Sequence, residues 1–197
     1  GCKFAAAWGQ DPSLASPGAP GLDMGTTISP MVPLEVSKTL EIVNDADGNG
    51  IVSPGDTVRY NISIQNIGLE TVNNVYVFDT VPANTTYATG TTQKDVGAGW
   101  VAIPDDGGGT PFPLDVLPNG VLLGNLTVGS TFLVRFNVTL NLITGPGNDY
   151  DNINNCAVAV SEILRLTQCV NTLVATRDWG DLPDTYGTTA FAEVNFI

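Results

Sequence analysis

The sequence predicts an all-β fold, and three observations carry that prediction. The first is a period of two. In "DTVRYNISIQN", Val58, Tyr60, Ile62 and Ile64 alternate with Arg59, Asn61, Ser63 and Gln65, which marks a strand with one buried face. The second is the recurrence of such segments between clusters of Gly, Pro, Asn and Asp, the residues that punctuate strands. The third is that no segment shows a helical stripe of useful length. Around eight short strands separated in this way describe a two-sheet, immunoglobulin-like β-sandwich. Strand-like arms extend it at the N and C termini.

The elements follow in order. "LEVSKTLEIV" opens the sandwich, "DTVRYNISIQN" follows, and "NNVYVFDTVP" repeats the alternation. "GWVAI" and "GVLLGNLTV" come next. "STFLVRFNVTLNL" then places Phe132, Val134, Phe136, Val138 and Leu140 on one face. "NCAVAV" and "CVNTLVAT" complete the set. Residues 33–177 form the sandwich, residues 1–32 an N-terminal arm and linker, and residues 178–197 a C-terminal linker and strand.

Composition narrows the function. Of 197 residues, 43% are hydrophobic and 14% charged, enough apolar material for a real core. Twenty acids face seven bases, for a formal charge of −13. That balance argues against nucleic acid or an anionic membrane as partner and favours cations. Histidine is absent, which removes the commonest general base, the Ser-His and Cys-His pairs, and the usual zinc and copper ligand sets. No apolar run is long enough to span a bilayer. No signal peptide is visible, as in a cytosolic protein or a processed, mature one. Four Asn-x-Ser/Thr sequons, at Asn61, Asn84, Asn125 and Asn137, point to a secreted chain carrying glycans, although an Asn- and Thr-rich sequence also produces sequons by chance.

Of three cysteines, Cys156 and Cys169 lie on alternating segments that can fold back as a hairpin with its turn near Glu162 and Ile163. That register brings the two sulfurs together as a disulfide; two buried free thiols are the alternative. Cys2 is left over, free or bonded to another chain.

Between about Pro33 and Thr176 the chain carries Lys38-Thr39, a Gly55-Asp56 strand start, Asn66-x-Gly68, Val75, Asp79 and Pro82 in succession. In these positions it resembles the secreted surface-repeat family catalogued as domain of unknown function eleven. The resemblance implies an immunoglobulin-like sandwich of bacterial and archaeal cell-surface proteins, often in tandem, with no enzymatic activity of its own. The family usually ends in a simple "NTATVT" strand, where this chain has its cysteine hairpin. "DWGDLPDTYGT", from Asp178 to Thr188, is similar to a segment that accompanies such repeats in adhesin-like secreted proteins.

The ends are unusual. "GCKFAAAWG" puts Cys2, Phe4, Ala6 and Trp8 on one face of a strand, and "TAFAEVNFI" does the same for Ala190, Ala192, Val194 and Phe196. Linker-like sequence separates the first of them from the sandwich. Short apolar strands held on linkers suit addition to a sheet edge, and a head-to-tail contact of that kind propagates as a filament. The alternatives are that both ends fold back on their own domain, or that they belong to a cut piece of a longer chain.

"NDADGNGIVSPGD" has calcium-loop spacing. With Asp45 at position 1, Asp47 falls at 3, Asn49 at 5, Gly50 at 6, the Ile51 carbonyl at 7, Ser53 at 9 and Asp56 at 12. Asp replaces the usual bidentate Glu at the last position, and the flanks are strands, so this is a calcium clip within a sandwich and no helix-loop-helix switch. The competing reading is a hairpin loop built on Asp-Gly and Asn-Gly turns.

Weaker oxygen-rich sets are Asn148, Asp149, Asp151 and Asn152, and the series Asp178, Asp181, Asp184. Adjacent Asp105 and Asp106 read as a solvated loop. Trp8, Trp100 and Trp179 with Tyr186 could line a carbohydrate surface but are scattered, as packing residues are. The expectation is an extracellular or cell-surface structural subunit, without enzymatic activity, that assembles with copies of itself. A stalk or adhesin module binding surface carbohydrate or protein is the alternative.

Overall fold

The computed structural model describes residues 7–8, 26–27, 32–106, 110–141 and 150–175. Its strands are β1 (Ala7–Trp8), β2 (Thr26–Thr27), β3 (Leu34–Asn44), β4 (Thr57–Asn66), β5 (Val72–Phe78), β6 (Thr85–Tyr87), β7 (Gln93–Asp95), β8 (Val101–Ala102), β9 (Val121–Leu126), β10 (Thr131–Leu140), β11 (Tyr150–Val160) and β12 (Arg165–Ala175). One sheet runs β3-β4-β10-β7-β8, with β6 also on β10; the other runs β12-β11-β5-β9. Every pairing is antiparallel. The fold is the immunoglobulin-like sandwich that the alternation predicts.

The alternation becomes the core directly. β4 and β10 pair in a register that sets Tyr60 opposite Phe136, Ile62 opposite Val134 and Ile64 opposite Phe132. All six side chains face inward and are buried. Their partners across the layer are Val75 and Val77 of β5, Ile153, Ala157 and Ala159 of β11, and Val174 of β12. Phe136 is fully buried, and a Phe→Ala truncation at such a site costs about 3–5 kcal/mol.

Two connections depend on particular backbone. The loop after β8 inserts Phe112 between Tyr87 and Phe136, with ring centroids 5.0 and 4.7 Å away. In the same loop the Leu114 carbonyl accepts a hydrogen bond from the Asp79 N–H. At Gly120, φ is +81° and an added Cβ would lie 2.0 Å from the Val77 carbonyl oxygen. Only glycine lets that turn pass so close to β5.

The short strands β6 and β7 escape the sequence reading. "QKD" of β7 has no apolar residue and is half-buried throughout, so no period marks it. In the N-terminal arm Ala7–Trp8 pairs with Thr26–Thr27, a contact inside this chain. Cys2, Phe4, Ala6, Ala190, Ala192, Val194 and Phe196 lie outside the described residues, as do Asn148, Asp149, Trp179, Tyr186 and the Asp178 series.

Candidate functional site

Two polar centres stand out against the apolar sandwich. The first is the loop between β3 and β4. The β3–β4 ladder shifts register between Ile42 and Asn44, and the chain then turns through Gly48 and Gly50, both at φ +74°. The Gly48 and Gly50 amides donate to the two Asp45 carboxylate oxygens at 2.8 and 2.7 Å. Asp47 accepts from the Asn49 amide at 3.1 Å and the Ser53 hydroxyl at 3.2 Å. Asp56, fully buried, ties the loop shut by accepting from Ala46 N and Ser53 N, each at 2.8 Å. The Gly55 amide donates to the Leu140 carbonyl of β10 and the Leu140 amide donates to the Asp56 carbonyl, each at 2.9 Å, anchoring the far side of the loop.

The loop brings one oxygen from each of Asp45, Asp47 and Asp56 within 4.8 Å of the others. Asn49 and Ser53 bond directly into this cluster, while the Ile51 side chain is exposed. The Gly50 amide above all, with smaller help from Asp47 and the Gly48 and Asn49 amides, holds Asp45 below the ordinary carboxylate range. Three carboxylates at this spacing offer hard oxygen donors suited to a divalent cation. The turn reading and the metal reading therefore describe the same residues: the amides build the loop, and the loop concentrates negative charge.

The second centre lies between the sheets. Lys38 sits at an inward position of β3, between Val36 and Leu40, and its ammonium nitrogen pairs with Asp79 Oδ2 at the end of β5. Neither side chain has any exposed surface. Lys38 Nζ also lies 4.9 Å from the Tyr60 ring centroid and 5.6 Å from that of Phe136. Burial pulls the Lys38 pKa down, against the pull of Asp79. Burial likewise pushes Asp79 up to about 6, although Lys38 and the Thr80 amide oppose it.

Asn155 of β11 faces the same layer. The β5–β11 register sets Phe78 opposite Val158 and Val77 opposite Ala159. One further antiparallel step sets Asp79 opposite Ala157, which makes Asn155 the next inward residue beyond it. Asn155 is 1% exposed, and neither its Oδ1 nor its Nδ2 has a hydrogen-bond partner. The Tyr60 hydroxyl comes close enough for the carboxamide to oppose the burial that pushes its pKa to about 12. That approach falls short of hydrogen-bond geometry, so the carboxamide remains unpaired. The contrast with Asn66 is plain: that buried amide donates to Glu70 O and Leu126 O and accepts from Gly68 N.

The remaining candidates separate. Cys156 and Cys169 sit opposite each other in the β11–β12 register and are joined as a disulfide. Asn84 and Asn125 are exposed, whereas Asn61 and Asn137 are half-buried on the outer strand face, bonded to Glu41 and Arg59. Asp105 does not act as a merely solvated residue: it accepts from the Tyr87 hydroxyl at 2.7 Å and from Gly90 N. Trp100 is not core packing. It lies on the outside of the β3-β4-β10 sheet with the Arg135 guanidinium 3.9 Å over its ring, and it borders a groove of about 180 Å³ with Ser37, Thr39, Asn61, Ser63 and Leu133. Sequence reasoning placed Lys38 and Asp79 only as motif positions and overlooked Asn155. The signal was present, since all three interrupt apolar faces at inward positions.

These features define a braced immunoglobulin-like sandwich with an acidic hairpin loop. No protein-family model matches the chain, and no curated protein matches it. Solved structures similar to it include the T6 backbone pilin of serotype M6 Streptococcus pyogenes, at 13% identity and TM-score 0.44 over 72% of this chain and 36% of that one. Another is a collagen-binding domain from a Staphylococcus aureus adhesin, at 9% identity and TM-score 0.36 over 75% and 99%. A third is a family 123 glycoside hydrolase from Clostridium perfringens, at 12% identity and TM-score 0.36 over 75% and 28%. The chain thus spans about a third of the pilin and of the hydrolase. Likeness at this level assigns no function. Among the described residues no helix is long and apolar enough to cross a membrane.

Proposed function

We propose that this chain is a structural subunit of an extracellular filament or cell-surface layer, assembling head-to-tail by β-strand exchange through its terminal arms. The observation that carries the reading is the open edge of β12. Among the described residues β12 pairs with β11 alone, runs for eleven residues, and carries one charge, Arg165, and no proline. Sheet edges in soluble proteins are usually shortened, charged or interrupted by proline, because an unblocked one recruits another strand. β12 lacks those devices and suits addition of an extended segment such as "TAFAEVNFI" or "GCKFAAAWG".

Calcium bound at Asp45, Asp47, Asn49, Ser53 and Asp56 would clip β3 to β4 and stiffen the sandwich under tension. The motif resemblance to the surface-repeat family supports the same reading and rests on its own residues. The role needs no catalytic turnover. Light scattering on the full chain and on chains lacking residues 1–10 or 188–197 tests it: the full chain polymerises and at least one deletion stays monomeric. Unchanged assembly of both deletions refutes strand exchange.

The Trp100 groove favours a second reading, a stalk or adhesin module. An indole edged by Ser37, Thr39, Asn61 and Ser63 offers an apolar face and hydroxyl partners suited to a sugar. Glycan binding by a solitary monomer, lost in Trp100→Ala, would select this reading over the first.

A further inference from the structure

A buried carboxamide without a hydrogen bond is costly and needs an explanation. Asn155 lies in the same dry layer as a buried amine and a buried carboxyl. Tyr60 links the three: its ring lies under Lys38 Nζ, its hydroxyl meets Asn155, and Asp79 acts on it electrostatically. β3, which carries Lys38, packs against β11, which carries Asn155.

We propose that Lys38 and Asn155 form an intramolecular amide cross-link, with Asp79 shuttling the proton. The Lys38 nitrogen adds to Asn155 Cγ. Asp79 takes a proton from that nitrogen and delivers it to Nδ2, the Cγ–Nδ2 bond breaks, and ammonia leaves. One C–N bond forms and one breaks, Asp79 is regenerated, and nothing is oxidised or reduced.

The surroundings suit each step. An amine attacks only when unprotonated, and burial lowers the Lys38 pKa. A shuttle must be able to hold a proton, and burial raises the Asp79 pKa to about 6. Exclusion of water from all three side chains disfavours hydrolysis of Asn155 to aspartate. The product removes the unpaired carboxamide and covalently joins the first strand of one sheet to the middle of the other. It is independent of whether the chain polymerises.

The intact mass of the full chain, measured after reduction of its disulfide, decides the matter. The expected mass is lower than that of the sequence by one ammonia, and fragmentation recovers a branched peptide joining Lys38 to Asn155. Asp79→Asn, which keeps both reacting groups, and Lys38→Ala restore the full mass. A wild-type chain of full mass overturns the proposal, as does an ammonia loss that maps to a linear peptide. The wild-type result stands alone if either variant fails to fold.

Discussion

Lys38 of β3 and Asp79 at the end of β5 meet between the sheets with both side chains wholly removed from solvent. The relationship joins one layer of the sandwich to the other through charge rather than apolar packing. Removing one partner of such a pair strands the other and costs about 3–5 kcal/mol, whereas replacing both with apolar residues of similar volume is far milder. Denaturant unfolding of Lys38→Met, Asp79→Leu and the double variant measures this. Both single variants lose more stability than the double; a double variant as unstable as the sum of the singles contradicts the pairing.

The Cys156–Cys169 disulfide closes a hairpin of sequence separation 13. A cross-link over a loop of that length stabilises by about 3 kcal/mol, and Cys169 is exposed to reductant. Adding dithiothreitol lowers the unfolding midpoint, and a Cys156→Ser/Cys169→Ser chain reproduces the reduced value without further response.

Calcium adds stability only by binding the folded loop. At a hundredfold excess over its Kd the gain is about 2.7 kcal/mol, and extracellular modules bind with Kd of about 10⁻⁴ to 10⁻³ M. Thermal melts in calcium and in EDTA differ for the wild type and coincide for Asp47→Asn. Coincident wild-type curves count against the metal.

The pH response of the same loop has a definite sign. The folded pKa of Asp45 lies below its ordinary 3.8, so ionised Asp45 favours the folded state. Its contribution is present above pH 3.8 and disappears as pH falls through the lower folded value. Asp79 works the other way: raised from 3.8 to about 6, it favours the fold in acid and loses that contribution as pH rises through about 6. Asp45→Asn therefore flattens the acid limb of the stability curve, and Asp79→Asn removes the decline between pH 4 and 6.

The long strands were legible because one face of each is buried, so the alternation of β4 and β10 reads straight through to the core. The Cys156–Cys169 register was legible for the same reason. β7 was not, since "QKD" has no apolar face. The return of β9 to pair with β5 was equally hidden, because pairing across so much sequence is a tertiary choice with no local period. At the inter-sheet centre the pattern itself held the clue. Lys38 falls in phase with Leu34, Val36, Leu40 and Ile42, and Asn155 with Ile153, Ala157 and Ala159. A polar residue in phase with a buried face requires a partner, and only the packing of the sheets reveals which one it has.

Strand exchange is tested most directly by imaging the assembled protein. Electron cryo-microscopy of the full chain should find linear polymers in which an arm of one subunit lies hydrogen-bonded along β12 of the next. Monodisperse monomers, or polymers in which β12 remains bare, would contradict the account.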